Sequence, residues 1–533
     1  MSESDRPVMT LRRMAARGVY WTTLENWGYQ LATLAVFAVL ARLVAPEAFG
    51  LIAMATVFTS VLKVAADQGM ADAIIQRPEI DDEHINGAFW LSVALGVALT
   101  VVLAAASPVI AMLFHDAALG PVLAALSLTL TISGLSTVQR ALLTRTFAFA
   151  SLTLRSLVSV VVGGVAGIVA AVLGAGVWSL VVQTLTVEVV AVITLWVASS
   201  WRPHLSFSWP HVKELLPFGA HIVGFRALRL ANTQSDNFMI GLFLGPTPLG
   251  FYVVAYRVLR LLNNMCTAVI GSVAFPTFSR VQHHDERVRR LYYRTMRLAA
   301  LVTFPTFLGL VVTAPEVTRL MFGSGWGESI PVMRMLGVAG LATSIGFLNP
   351  TVLKALGKPS WRVVLMGVTA VAQVAAFAIA VRWGVFAVAT ALAIVTFAVS
   401  PAWFYAVHKL IGLRFGSLLR QVVGPAVASG LMVAAVLATK QVVGGLGLVW
   451  QVVALVTIGA ATYVAALWVL DRESAVEALE LGRLAIPGLG GHVPTEELPA
   501  ARGRDDVDMP TGVATRYAET PVEAAEGAGR HDT

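Results

Sequence analysis

The chain is short of charge and has a single cysteine. Only 13% of its 533 residues are Asp, Glu, Lys or Arg, about half of the roughly 25% usual in a soluble domain. That deficit excludes an ordinary soluble fold of this length, whose surface would need far more charge. Cys266 lies inside an apolar stretch, so no intrachain disulfide can form and the thiol reads as buried and inert. No Gly-x-x-x-x-Gly-Lys-Ser/Thr loop is present, which excludes ATP hydrolysis by that route. Nothing in the pattern asks for a cofactor, a metal or nucleic acid. The first apolar run is too long for a signal-peptide core and lacks a small-residue cleavage pattern behind it.

What the chain has instead is hydrophobic length. Hydrophobic residues make up 57% of it, arranged in runs of about 20, long enough to cross a bilayer core. Fourteen spans are expected, at 17–43, 49–66, 87–113, 120–142, 152–174, 176–199, 214–243, 249–274, 293–322, 331–353, 361–381, 384–408, 418–438 and 445–469. Barrel strands would be about ten residues of strict alternation, which these are not. The predicted fold is an all-α polytopic membrane protein.

The cations give an orientation. With the N-terminus in the cytoplasm, the inner segments hold Arg12, Arg13, Arg17, Lys63, Arg77, Arg140, Arg145 and the run Arg287, Arg289, Arg290, Arg294, Arg297. The outer side holds only Arg42, Arg319, Arg382 and Lys440. That asymmetry is the positive-inside pattern, and it puts both termini in the cytoplasm. From Asp471 onward 13 acidic residues face 6 basic ones, in a stretch rich in Glu, Ala, Gly and Pro, so 471–533 reads as a disordered cytoplasmic tail. No outer loop is long enough to form a domain.

A shift of 200 residues aligns two stretches. Pro46, Gly50 and the Leu51-Ile52-Ala53 that follows fall on Pro246, Gly250 and Phe251-Tyr252-Val253. Each sits at an outer hairpin, where the proline ends one helix and the glycine opens the return. Six helices separate the copies, an even number, so the halves share one orientation about an axis along the membrane normal. The expected organisation is a segment 1–16, an N-lobe 17–199, a C-lobe 200–408, and two added helices within 418–469.

Several ionisable residues fall inside spans. They are Glu25, Glu188, Arg226, Arg229, Asp236, Arg257, Arg260 and, near the outer end of its helix, Arg334. A charge facing lipid costs on the order of 3 kcal/mol, so these must face one another or water. Arg226 and Arg229 are three apart and share a helix face, as do Arg257 and Arg260. Four arginines on one hairpin with Asp236 as the only deep acid leave positive charge unbalanced. Guanidinium forks match the oxygens of a phosphate or pyrophosphate. The structural alternatives stand beside this: an Arg257–Asp236 pair locking the hairpin, Glu25 paired with Arg17 or Asn26, Glu188 in an interhelical contact, and Arg334 snorkelling outward. His283-His284-Asp285-Glu286 reads as a solvated loop rather than a metal site, and Asp81-Asp82-Glu83-His84 falls in an inner loop.

These features together resemble the polysaccharide transporter family, the Wzx-type flippases, within the multidrug/oligosaccharidyl-lipid/polysaccharide exporter superfamily. The motifs carrying the resemblance begin with Leu40-Ala41-Arg42-Leu43, Pro46-Glu47-Ala48-Phe49-Gly50 and Asp72-Ala73-Ile74-Ile75-Gln76-Arg77. They continue with Gly174-Ala175-Gly176-Val177-Trp178, Leu249-Gly250-Phe251-Tyr252, Ala255-Tyr256-Arg257, Phe275-Pro276-Thr277-Phe278 and Ala355-Leu356-Gly357-Lys358-Pro359. Order and spacing, over about residues 17–360, make them specific; the colanic-acid and teichuronic-acid exporter branch looks most similar. The resemblance implies two six-helix lobes about a central cationic cavity, working by alternating access. It implies a substrate of undecaprenyl-pyrophosphate-linked oligosaccharide, with membrane lipid and other polysaccharide assembly proteins as partners.

The reading is therefore a flippase of the bacterial inner membrane, not an enzyme. Its expected substrate-binding residues are Arg226, Arg229, Arg257, Arg260, Asp236 and Glu25. The rival on the same fold is a cation-coupled multidrug exporter, which predicts an acidic cavity. A membrane glycosyltransferase, polymerase or ligase would show a large outer loop or an outward acidic pair.

Overall fold

A 22-residue helix rises about 33 Å, enough for the roughly 30 Å of hydrocarbon in a bilayer, and this relation sets the architecture. In the computed structural model the described residues are 27–472 apart from 68, 78–79 and 206–207. The sequence expectations for 1–26, Glu25 among them, and for the tail from 473 onward fall outside those residues. All described residues belong to one unit, and among them there is no strand.

The first half runs α1 (Trp27–Leu43), α2 (Pro46–Asp67), the short α3 (Met70–Gln76), α4 (Asp82–Leu113), α5 (Leu119–Arg145), α6 (Phe149–Val172) and α7 (Val177–Ala198). The second half runs α8 (Trp209–Leu244), α9 (Pro246–Val281), α10 (Asp285–Phe322), α11 (Ser329–Gly346), the short α12 (Asn349–Ala355), α13 (Pro359–Ala380) and α14 (Val385–Ile411). Two helices follow, α15 (Phe415–Val443) and α16 (Leu448–Leu470). Among the described residues the expected spans fall on helices, one of them, 331–353, on two. By length and composition alone, 11 helices of the described residues can cross a membrane. The arginine-bearing α8 and α9 are not in that set, and α1 is described only from Trp27.

Three details differ from the sequence expectation. Pro46 and Pro246 do not end the outgoing helices; they begin α2 and α9, because proline's missing N–H costs nothing in a first turn. Gly50 and Gly250 lie one turn inside. The expected span 331–353 breaks after Gly346 into α11 and α12. Asp82 and Glu83, like Asp285 and Glu286, are not loop residues but form the acidic first turns of α4 and α10, where carboxylates suit the helix dipole.

Packing inside each half relies on small residues, since lipid gives helices little hydrophobic reason to associate. A methyl group at Gly96 of α4 would come within 2.8 Å of the Leu130 carbonyl on α5, and one at Gly134 of α5 within 2.6 Å of the Ser92 carbonyl on α4. Large apolar side chains such as Val101, Val109, Met112 and Val197 point outward, the arrangement expected where the solvent is lipid. The added helices attach to α10. Tyr463 Oη donates to the Leu301 carbonyl at 2.8 Å, and Lys440 pairs with Glu316 at 2.7 Å.

The two halves meet reciprocally. A methyl group at Gly50 would overlap the backbone of Pro246, and one at Gly250 would overlap the backbone of Pro46. Residues 200 apart thus trade places across one contact, the signature of a two-fold relation between the halves. One core cluster, including Leu40, Phe49, Tyr252 and Trp326, runs through both.

Candidate functional site

At the hairpin end the halves are sealed by aromatic rings and buried hydrogen bonds. Trp326 packs edge-on against Phe49 at 5.4 Å and Phe251 at 5.9 Å between centroids. Its indole N–H donates to the Ala41 carbonyl at 2.8 Å. Arg42 donates to the carbonyls of Leu320 and Met321, capping the last turn of α10 with a cation, as the helix dipole favours. The outer loop around Ser324-Gly325-Trp326-Gly327 is part of this seal: Trp326 is almost fully buried.

Near mid-helix, α2 lies along α8. Phe58 meets Phe238 at 6.4 Å, and Gln234 Nε2 donates to Ser60 Oγ at 3.3 Å. At the far end Arg226 of α8 pairs with Asp72 of α3 at 2.6 Å. The halves therefore touch at both ends of the α2–α8 seam.

The six expected site residues are only partly brought together. Glu25 lies outside the described residues. Arg226 faces the opposite half, at Asp72. Arg229, one turn on, is exposed and lies within electrostatic reach of Arg362 on α13. The shared face expected for Arg226 and Arg229 is thus divided between two neighbours. Arg257 and Arg260 stay within electrostatic reach of each other. The Arg257 guanidinium stands 5.4 Å over the Phe37 ring of α1, and that of Arg260 lies 5.0 Å over Tyr256; both are cation–π contacts.

The Arg257–Asp236 pair does not form. Asp236, buried, instead accepts hydrogen bonds from Tyr252 Oη at 2.8 Å and from the Asn237 backbone N–H at 2.8 Å. The Tyr252 bond joins α9 to α8 without an arginine. Asp236 still lies within electrostatic reach of Arg260. Among the described residues no carboxylate comes within the 4.0 Å of an ion pair to Arg229, Arg257 or Arg260. Glu188 is an interhelical partner, accepting from Lys63 of α2 at 2.5 Å. Arg334 is exposed. Among the described residues no group of three metal-ligating side chains occurs.

Sequence reasoning did not single out Arg362. Its guanidinium lies 5.0 Å over Phe225, and its Nε is buried with no hydrogen-bond partner among the described residues. It also passed over Trp27, Gln30 and Asn264, which line a cavity between α1 and α9. The signal was there: amides inside apolar spans are costly and mark sites.

The profile of the family described as "Polysaccharide biosynthesis protein" matches residues 39–331. The chain is 28% identical over 348 residues to the lipopolysaccharide biosynthesis protein WzxC of Escherichia coli (strain K12), covering 64% of this chain and 70% of that one. It is 25% identical over 338 residues to the succinoglycan biosynthesis transport protein ExoT of Rhizobium meliloti (strain 1021), covering 63% and 67%. Its fold is similar to that of the lipid II flippase MurJ in an inward closed conformation, with TM-score 0.71, 12% identity, and 85% and 99% of the two chains covered. A multidrug resistance MATE family transporter in an inward-facing conformation aligns with TM-score 0.58 and 20% identity over 72% and 94%.

Proposed function

This chain belongs to the polysaccharide biosynthesis protein family, and on that premise we propose that it turns a lipid-linked oligosaccharide from the inner to the outer leaflet of the bacterial cytoplasmic membrane. The observation that carries the reading is the pair Arg257 and Arg260 on α9, inside the expected span 249–274, with no carboxylate in ion-pair range among the described residues. Such charge is costly without a counter-anion. A pyrophosphate between polyprenol and glycan supplies one, and two guanidinium forks suit its oxygens. The relatives named for lipopolysaccharide and succinoglycan biosynthesis support the same substrate class.

In this account both termini and the Asp72–Arg226 end lie in the cytoplasm, and the Gly50–Gly250 end faces out. The halves correspond to the lobes 17–199 and 200–408, with 418–469 added to the second. The glycan and pyrophosphate pass between the lobes while the polyprenyl chain stays in lipid. Asp236, held by Tyr252, balances part of the Arg260 charge and fixes the hairpin that carries both arginines. Arg229 with Arg362 offers the anion a first station nearer the cytoplasm. The multidrug alternative calls for a free acid in the cavity, and the deep Asp236 is already occupied by Tyr252.

The test is flipping by the purified full chain in proteoliposomes. A fluorescent undecaprenyl-pyrophosphate-linked oligosaccharide should move between leaflets. Movement of cationic drugs but not of this lipid would refute the reading.

A further inference from the structure

The two-fold relation makes two seams equivalent, α2 against α8 and α9 against α1. The first is filled: Phe58 and Phe238 meet there, Gln234 bridges to Ser60, and Met54 lies against Gly241. The second is not. Just past Arg260 it opens into a cavity of about 300 Å³, lined by Trp27, Gln30 and Leu31 of α1 and by Leu261, Asn264 and Met265 of α9. The positions 200 residues away that correspond to Trp27, Gln30 and Asn264 are Ala227, Leu230 and Val64. At these three positions an aromatic ring and two amides stand at one seam and apolar side chains at the other, on a scaffold whose backbone repeats. Packing symmetry does not call for that difference.

The chemistry of the lining is specific. The side-chain amides of Gln30 and Asn264 meet no hydrogen-bond partner among the described residues. Each amide offers two donors and an acceptor, the set that pairs with neighbouring hydroxyl groups. An indole offers a flat apolar face with a polar N–H at its edge, which suits the C–H face of a pyranose ring. The volume is at the lower end of the about 300–1,000 Å³ typical of ligand sites, room for a sugar ring rather than a polymer.

Position strengthens this. Arg260 and Asn264 are four residues apart, on one face of α9 and separated by about 6 Å along the axis. A sugar attached directly to a pyrophosphate held at Arg257 and Arg260 reaches that far and no farther. We infer that the α1–α9 cavity is a subsite for the first sugar of the lipid-linked glycan, with Trp27 as its stacking platform and Gln30 and Asn264 as its hydroxyl partners. This rests on the flippase reading and adds to it a site of discrimination: the arginines hold what all such lipids share, and the cavity meets what differs.

The experiment uses the purified full chain in nanodiscs and three probes: undecaprenyl pyrophosphate, its glucosyl form and its galactosyl form. The wild-type chain should bind at least one sugar-bearing probe about tenfold more tightly than the bare one, the worth of one or two good hydrogen bonds. Trp27→Ala, and separately Gln30→Ala with Asn264→Ala, should erase that advantage while leaving the bare probe's affinity unchanged. Trp27→Phe should retain most of it, which separates stacking from simple loss of packing. Equal affinity of the wild-type chain for all three probes would overturn the subsite but not the flippase. Equal weakening of all three by Trp27→Ala would also overturn it, as expected if the cavity holds a lipid chain. Failure of the wild-type chain to bind even the bare probe would remove the flippase reading as well.

Discussion

Gly50 and Pro246 touch so closely that no side chain fits between them, and Gly250 and Pro46 repeat the contact with the roles exchanged. The halves of the molecule are joined at this end by backbone against backbone. Such a contact has no side chain to adjust, so it is either made or broken. That is the behaviour required of a gate that opens by rigid movement of one half against the other.

Replacing Gly50 with alanine should therefore open the hairpin end. Overpacking costs about 1–3 kcal/mol, a shift of roughly 5- to 150-fold in the closed-to-open ratio. With Cys266 replaced by alanine and a reporter cysteine at Ala48, now buried, an impermeant maleimide should label the Gly50→Ala chain faster. Gly250→Ala should do the same. Unchanged labelling in both would show that this contact is not the gate.

The ion pair at the other end should behave as a latch. Asp72→Arg should lower export by placing like charges together, and Asp72→Arg with Arg226→Asp should recover it. The pair is only half-buried, so its coupling should be about 0.2–1 kcal/mol, small but readable by a double-mutant cycle. A swap no better than the worse single variant would contradict the pairing as a functional contact.

Tyr252→Phe should destabilise without touching substrate. It removes one of the two hydrogen bonds that hold the buried Asp236, and an unmet buried acceptor costs about 1–3 kcal/mol. The thermal unfolding midpoint in detergent should fall, and Asp236→Asn on the same background should recover part of it. An unchanged midpoint in Tyr252→Phe would mean the bond is idle.

How much of this the sequence revealed depends on range. Apolar runs are local, so among the described residues the expected spans fall on helices. The repeat is also local at each end, so Pro46 with Pro246 announced the two-fold. Partner choice is not local. Asp72 and Arg226 are 154 residues apart, Lys63 and Glu188 125, Trp326 and Ala41 285. Periodicity tells which helix face a residue occupies, not what lies opposite. That is why the Asp72 partner of Arg226 was not legible, and why Arg257 and Asp236 read as a candidate pair. The polar lining of the α1–α9 cavity was visible as Gln30 and Asn264 within apolar spans, but nothing local said that two halves would bring Trp27 beside Asn264.

Orientation can be tested at Ala117, which is exposed between α4 and α5. A cysteine there should react with an impermeant reagent added to whole cells, and one at Ser417, at the start of α15, should react only after lysis. The reverse pattern would invert the topology and the assignment of both ends.

The central claim, that the unbalanced arginines serve a pyrophosphate, is met most directly by leaflet exchange in proteoliposomes with Arg257→Ala and Arg260→Ala. Movement of the undecaprenyl-pyrophosphate-linked oligosaccharide should be lost in both, with folded protein at normal yield. Lysine at either position should restore only part, since it keeps the charge but loses the fork. Flipping at the wild-type rate in the double alanine chain would contradict the account.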